Sequence, residues 1–523
     1  MVGFVKVSED ILSAGFPPVR YLMNTEMDTV PLSSSWLAFG LLGSLMGIAL
    51  CAWVYRALKK LDPQRGILQH CARKGELWGV FVIALAIRVF NIFTDPLTEF
   101  EMTSVLIVER SEFIPGIHEL VDAASRGHFP FLIWITWIFQ GLSGEILGGR
   151  IPSALAGSLA ITILARTLGR DLEIRSRLAL YAGLSTIPMG VFMSRWTAGY
   201  PWVLLGEAFM LQGVFLLRAD RERQGWTSLM GGLLICASFQ ANGVFSGLIL
   251  ASVWIVRMSR GGLARRAAIL AVPAGLGVVL IGSPWFITIS THAQSMKLVG
   301  DFLPYLSLSP FGLGSDIAML MHWTLDLGYV GALPVAGLIP VCAGLIAAGI
   351  LRVARVDREL TALTIGLLLT FVVVFVNMAF GPYLFKDIEG VYFHMRQHCV
   401  LVVLGALALW GWLRVQQWMS TAIGFCLALL FIGGWINLEG KERQPDYENA
   451  FSSIAAEFQA GDSILILPSY TNWSVLQYYG LKAAKEKQNT ELKKVLDLGY
   501  EQPRFIVPMR VPLEDQLRSN LVQ

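Results

Sequence analysis

Three carboxylates, Asp95, Glu99 and Glu101, fall within seven residues in the stretch Arg88-Val-Phe-Asn-Ile-Phe-Thr-Asp95-Pro-Leu-Thr-Glu99-Phe-Glu101. They come directly after an apolar run, so they sit where a water-poor region gives way to a wet one. Partial desolvation makes a carboxylate a better base, and a base within hydrogen-bond reach is what an attacking hydroxyl or amine needs. Glu101 is the first candidate for that base and Glu99 the second, with Asp95 beside them as a substrate-binding acid. The plain alternative is an acidic cap in water at the start of a loop, and spacing alone favours it.

Cationic groups recur at other boundaries between apolar and polar sequence. Arg150 stands in Gly148-Gly-Arg-Ile-Pro152, Arg195 and Tyr200 bracket the short Ser194–Tyr200 connection, and His128 lies in Arg126-Gly-His-Phe-Pro130. Lys386 and Arg396 share the polar stretch 380–398, and Arg88 lies inside an apolar run near its end. A guanidinium fork offers two parallel N–H groups to one oxyanion, which suits phosphate. Taken singly, each arginine is equally well explained by snorkelling to lipid headgroups, and a lone histidine is more often structural. Glu207 is deeper in its run and is expected to face other helices.

These groups need a scaffold, and the bulk of the chain says which. Its 523 residues are 54% apolar and only 15% charged. Charges are absent from long stretches and bunched between them. Only structures that satisfy their own backbone hydrogen bonds survive in hydrocarbon, and no set of short alternating strands suggests a barrel. The fold class expected is an all-α polytopic membrane protein of about 12 transmembrane helices, each about 20 residues long. The candidate spans are 35–56, 77–94, 150–167, 178–194, 201–217, 227–242, 243–256, 267–289, 329–351, 361–379, 399–414 and 420–437. Basic turns (Lys59 to Lys74, Arg170 to Arg177, Arg218 to Arg223, Arg257 to Arg266, Arg352 to Arg358) then all fall on one side, the cytoplasmic side by the positive-inside rule.

Phe129–Leu142 is apolar and Trp-rich but too short to cross. A crossing there would also invert the next basic turn, so it is expected to lie in the outer interface within one long outer loop, 95–149. Residues 1–34 read as a polar N-terminal segment without a cleavable leader. Residues 438–523 read as a small extracytoplasmic α/β domain, with a helix at 447–460, strands at 463–467 and 504–508, and helical stretches between. The six cysteines have no metal-ligand spacing and read as small buried hydrophobes. A net charge of +3 gives no reason to expect nucleic acid as a partner.

The order of motifs resembles the C-type (GT-C fold) glycosyltransferases, in particular the protein-mannosyltransferase and aminoarabinose-transferase-like group. The acidic pair of that group's first outer loop is similar to Glu99-Phe-Glu101. Its histidine motif with an aromatic stretch is similar to His128-Phe-Pro130 and the run Phe131–Phe139. The element Gly144-Glu-Ile-Leu-Gly-Gly-Arg150-Ile-Pro-Ser-Ala-Leu-Ala-Gly157 is the most specific match. Ser194–Tyr200, Arg396-Gln397 and the tail from Tyr447 to Tyr479 complete the series, over roughly residues 77–480. The group's adjacent Asp-Glu stands here as Glu-x-Glu, its second histidine-motif proline is Phe131, and its late tyrosine is Gln397.

The resemblance implies an inverting enzyme of the inner (plasma) membrane, with its site on the extracytoplasmic face. The donor would be a polyprenyl-phosphate-linked sugar, and the acceptor a lipid such as lipid A, a protein or a glycan. Membrane lipids would surround it, and no cofactor is required. A divalent cation could be held by Asp95, Glu99, Glu101 and His128, although no spacing rule requires one. Two other readings compete: a transporter or lipid flippase, which would line the membrane midplane with charge, and a noncatalytic component of polysaccharide export.

Overall fold

The computed structural model describes residues 34–61, 74–90, 92, 101, 130–143, 145–197, 199–239, 241–293, 338–384, 399–439, 447–459 and 479–497. Among these residues the regular structure is helical, without strands. The helices are α1 (Ser34–Leu61), α2 (Lys74–Val89), α3 (Pro130–Ser143), α4 (Glu145–Leu168), α5 (Ile174–Thr186), α6 (Pro188–Ser194), α7 (Tyr200–Arg218), α8 (Glu222–Phe239), α9 (Gly247–Arg260), α10 (Gly262–Ala293), α11 (Leu338–Ala354), α12 (Arg358–Leu384), α13 (Val400–Leu413) and α14 (Trp418–Glu439). Three short helices end the series: α15 (Tyr447–Glu457), α16 (Leu481–Glu486) and α17 (Thr490–Asp497).

Every expected span falls wholly or partly on these helices. Among the described residues five stretches are long and apolar enough to cross a bilayer: Gly149–Leu168, Tyr200–Arg218, Gly243–Arg260, Gly262–Ile281 and Trp418–Ile436. Apolar side chains also cover the outside of the bundle. Leu45, Trp78, Val82, Ile255, Leu276 and Leu429 are exposed, whereas Arg88, Glu101, Arg150, Glu207, Arg257 and Glu359 are buried. That inversion of the soluble pattern fits hydrocarbon as the outer solvent.

Two boundaries differ from the sequence expectation, each for a local reason. The stretch 178–194 is not one helix. Ile187 adopts an extended backbone (ψ 113°) because Pro188 comes next, so α5 ends and α6 begins with proline in its first turn. The division expected at 242/243 lies earlier: α8 stops at Phe239, and a 3-10 turn, Ala241–Ser246, leads into α9. Gly243 fits there because a Cβ would strike the carbonyl of Cys236.

Where a helix face lacks side chains, backbones meet. A Cβ on Gly213 of α7 would lie 2.8 Å from the carbonyl oxygen of Gly225 on α8, and one on Gly225 would lie 2.9 Å from that of Gly213. Such small-residue contacts are how helices associate when lipid removes the hydrophobic driving force.

The basic turns collect at one end of the bundle. Arg177 pairs with Glu76 (3.0 Å), Arg218 with Asp357 (2.6 Å), and Arg260 with Glu359 (2.6 Å). Buried Arg257 pairs with Glu359 at 3.1 Å and with Glu222, which also accepts from Trp226 Nε1 at 3.2 Å. These links tie together the ends of α2, α5, α7, α8, α9 and α12. The helix directions therefore agree with the sidedness read from the charges.

Helix α3 does not run between the two ends. It starts with Phe131 6.1 Å from Phe239 at the close of α8, and it finishes next to the start of α4. Both of those neighbours lie at the end away from the basic turns. Leu132, Ile133 and Thr136 are buried while Phe131, Trp134 and Ile138 face outward, so one side packs on the bundle and the outer side is apolar.

In the tail, helix α15 matches its expectation. Asn489 bolts the unit together: its Nδ2 donates to Ala455 O and Phe458 O, both at 2.9 Å, while its Oδ1 accepts from Leu492 N and caps α17. The two expected tail strands and residues 1–33 lie outside the described residues.

Candidate functional site

The site forms at the end opposite the basic turns, where α2 stops. Arg88, on its last turn, is fully buried. Its Nη1 donates to Ala84 O (3.0 Å) and, at longer range, to Ser185 O (3.4 Å). Among the described residues its Nε and Nη2 are buried without a hydrogen-bond partner and it makes no ion pair. Two glycines leave room around this guanidinium: a Cβ on Gly157 would come within 3.1 Å of Nε, and one on Gly190 within 3.7 Å of Nη2.

Arg195 caps α6 and donates from Nη2 to Ile87 O at 2.6 Å. Arg150 donates from Nη1 to Ile92 O at 2.7 Å. The carbonyls exposed as α2 ends therefore anchor both arginines, which is how a helix C-terminus satisfies its orphan acceptors. Arg88, Arg150 and Arg195 come from three distant stretches and converge on residues 84–92.

Glu101 completes the group. Its Oε1 lies 2.7 Å from Arg150 Nε and its Oε2 2.9 Å from Nη2, a side-on bidentate pair. The backbone N–H of Thr197 donates to Oε1 at 3.0 Å. Both members are buried, with side-chain exposures of 2% for Arg150 and 0% for Glu101. Such pairing fixes the carboxylate firmly. It also engages both oxygens, which leaves Glu101 few lone pairs for a proton while it stays on Arg150.

Gly149 makes this geometry possible. A Cβ there would overlap the Thr197 side chain, so only glycine lets α4 approach the Arg195–Gly199 turn closely enough to share Glu101. Gly157 likewise admits Ser194. Neither Gly149 nor Thr197 carries a sequence signal beyond lying next to Arg150 and Arg195.

Tyr200 opens α7, and its carbonyl accepts from Cys399 Sγ at 3.3 Å. It packs against Val191, Phe192 and Trp196, which places it at the same end as the arginines. Asp95, Glu99, His128, Lys386 and Arg396 lie outside the described residues. Among the described residues no cluster of His, Cys, Asp or Glu could hold a metal. Glu101 already has both oxygens on Arg150, so it fits a cation ligand poorly. Deeper in α7, buried Glu207 accepts from Ser246 Oγ at 3.2 Å through Oε1, while Oε2 has no hydrogen-bond partner among the described residues.

Fold and site together define a helical membrane protein with buried arginines and a buried carboxylate at the end away from its basic turns. No family model and no curated protein matches the sequence. Among solved structures the chain is similar to ArnT from Cupriavidus metallidurans bound to undecaprenyl phosphate, with 17% identity and a TM-score of 0.42. That match covers 82% of this chain and 74% of that one. It is also similar to the Archaeoglobus fulgidus oligosaccharyltransferase in complex with Zn and sulfate, with 15% identity and a TM-score of 0.41, covering 77% and 56%. Likeness at this level fixes neither activity nor substrate.

Proposed function

We propose that this chain is a membrane glycosyltransferase that moves a sugar from a polyprenyl-phosphate donor to an acceptor hydroxyl or amine. The observation that carries the reading is the buried Glu101–Arg150 pair at the same end of the bundle as buried Arg88 and Arg195, with both Arg150 and Arg195 anchored on carbonyls where α2 ends. In sequence these residues are scattered. They meet at the end the positive-inside rule assigns to the extracytoplasmic face. In this reading the protein crosses the inner membrane about 12 times, with the site and the C-terminal domain outside the cytoplasm.

In the reaction, an acceptor O–H or N–H attacks the anomeric carbon from the face opposite the phosphate. The bond from that carbon to the phosphate oxygen breaks, and the leaving polyprenyl phosphate keeps the electron pair. The acceptor's proton passes to a carboxylate, either Glu99 or Glu101 once it is released from Arg150. Negative charge grows on the leaving phosphate, and preorganised guanidinium groups in water-poor surroundings stabilise it strongly. Arg88 suits this role because two of its nitrogens have no partner. Asp95, His128, Tyr200, Lys386 and Arg396 are proposed to bind substrate around this centre. The lipid tail supplies binding energy remote from the reacting carbon.

The test is release of carrier phosphate by purified protein given polyprenyl-phosphate sugars and candidate acceptors. Release is expected from the wild type and is expected to vanish in a Glu99→Gln/Glu101→Gln double variant that still folds. Undiminished release by the double variant would remove the carboxylates from the chemistry. Wild-type protein that releases nothing across a panel of donor sugars and acceptors would sink the transferase reading.

A further inference from the structure

Among the described residues four donor atoms address one carboxylate near the head of α4, the weakest of them Thr197 Oγ1 at 3.5 Å from Oε1. Arg150 Nε and Nη2 address Glu101 Oε1 and Oε2, and the Thr197 N–H addresses Oε1 as well. Arg150 is held by more than the acid, because its Nη1 is tied to Ile92 O at 2.7 Å. Thr197 is seated closely on Gly149 and follows Trp196, which packs among Val191 and Phe192. The donors are therefore positioned independently of Glu101, and what they form is a receptor for an oxyanion. Two oxygens on one centre, spaced to meet a guanidinium edge, describe a phosphate as well as a carboxylate.

We propose that Glu101 occupies a phosphate receptor made by Arg150 and Thr197, and that the donor's phosphate displaces it, turning Glu101 from a held anion into an available base. This rests on the transferase reading. The exchange conserves charge locally, since one oxyanion replaces another on the same donors. It also gives the reaction an order: the carboxylate becomes free to accept a proton only when a donor phosphate is in place. A pocket with no donor bound keeps its base tied to Arg150. Arg150 and Glu101 then have coupled roles, and Thr197 is a positioning residue that acts through its backbone N–H.

Competition of this kind has a signature that simple structural support lacks. Removing the charge of Glu101 removes the competitor for Arg150, so the carrier should bind better while transfer falls. The full-length protein in lipid nanodiscs would be titrated with polyprenyl monophosphate. Glu101→Gln keeps the size of the side chain and can still accept from Thr197 N–H. It is expected to tighten binding about tenfold, the scale of one charge-assisted hydrogen bond no longer competed for.

Arg150→Gln is expected to weaken binding, and in the Arg150→Gln background Glu101→Gln is expected to bring no gain, which a double-mutant cycle reads directly. If wild type binds the carrier but Glu101→Gln binds equally or more weakly, the exchange is wrong and the transferase reading stands. If Glu101→Gln tightens binding equally with and without Arg150, the displaced partner is not Arg150 and the proposal fails. If wild type does not bind polyprenyl monophosphate at all, both readings fail together.

Discussion

Replacing Arg88 with methionine should make the empty protein more stable and its ligand response weaker. Methionine keeps most of the stem and removes the guanidinium. In the native protein that group is fully buried, has two nitrogens without hydrogen-bond partners, and lies close to Arg195. Each buried donor left unsatisfied costs about 1–3 kcal/mol, so two cost about 2–6 kcal/mol. Against this, the substitution loses the bond to Ala84 O and the longer one to Ser185 O. Charged hydrogen bonds of this kind contribute about 1.5–3 kcal/mol. These two sums nearly cancel, and what tips the balance toward Arg88→Met is the desolvation of a buried charge, worth about 1–3 kcal/mol by the range seen when buried charge gives way to apolar packing.

Thermal unfolding in nanodiscs without ligand should therefore give a higher midpoint for Arg88→Met. Polyprenyl phosphate at about 100 times its Kd should stabilise wild type by about 2.7 kcal/mol and the variant by much less. An Arg88→Met protein that unfolds below wild type when empty would show that the guanidinium has a partner holding it there. A variant that gains as much from the carrier as wild type would show that Arg88 does not meet the phosphate.

Two further perturbations test the frame. Arg257→Gln strips Glu222 of its only ion-pair partner among the described residues and leaves Glu359 with Arg260 alone. It should cost about 3–5 kcal/mol in unfolding free energy, and adding Glu222→Gln should recover part of that. Gly149→Ala should cost about 1–3 kcal/mol by overpacking against Thr197 and should lower carrier-phosphate release. Adding Thr197→Gly, which keeps the backbone donor to Glu101, should restore release in part; no recovery would mean that the two residues are not coupled.

The scaffold was legible because its signal is large and local. Long apolar runs and basic turns each arise from a single free-energy term, the transfer of side chains between water and hydrocarbon. Helix α3 was legible as a short apolar helix for the same reason. Breaks such as Pro188 and the 3-10 turn at Ala241–Ser246 were harder, because apolarity runs straight through them and only backbone sterics interrupt the helix.

At the site, the sequence exposed charges but not pairings. Glu101 and Arg150 stand 49 positions apart, and their contact depends on α4 meeting the end of α2. A carboxylate beside an apolar run looks like a free base until its partner is known. Thr197 acts through its backbone, and Gly149 acts through the side chain it lacks. Neither kind of contribution has a residue-type signature.

The two ends of the bundle treat arginine differently, and that contrast points to where the function lies. At the basic end Arg177, Arg218, Arg257 and Arg260 each have a carboxylate partner. Those charges are settled within the protein and serve to hold helix ends together. At the other end Arg150 holds Glu101 and Arg195 holds a carbonyl at the end of α2, while the most buried arginine there, Arg88, has two nitrogens without a hydrogen-bond partner among the described residues. A folded chain lowers its free energy by pairing buried charge or by replacing it with apolar side chains. A cation buried without either remedy is unstable on its own terms, and an anion arriving from outside relieves it. In the proposed exchange the energy released on that arrival would be available to part Glu101 from Arg150, so one imbalance would both draw the phosphate in and drive the step that frees a base.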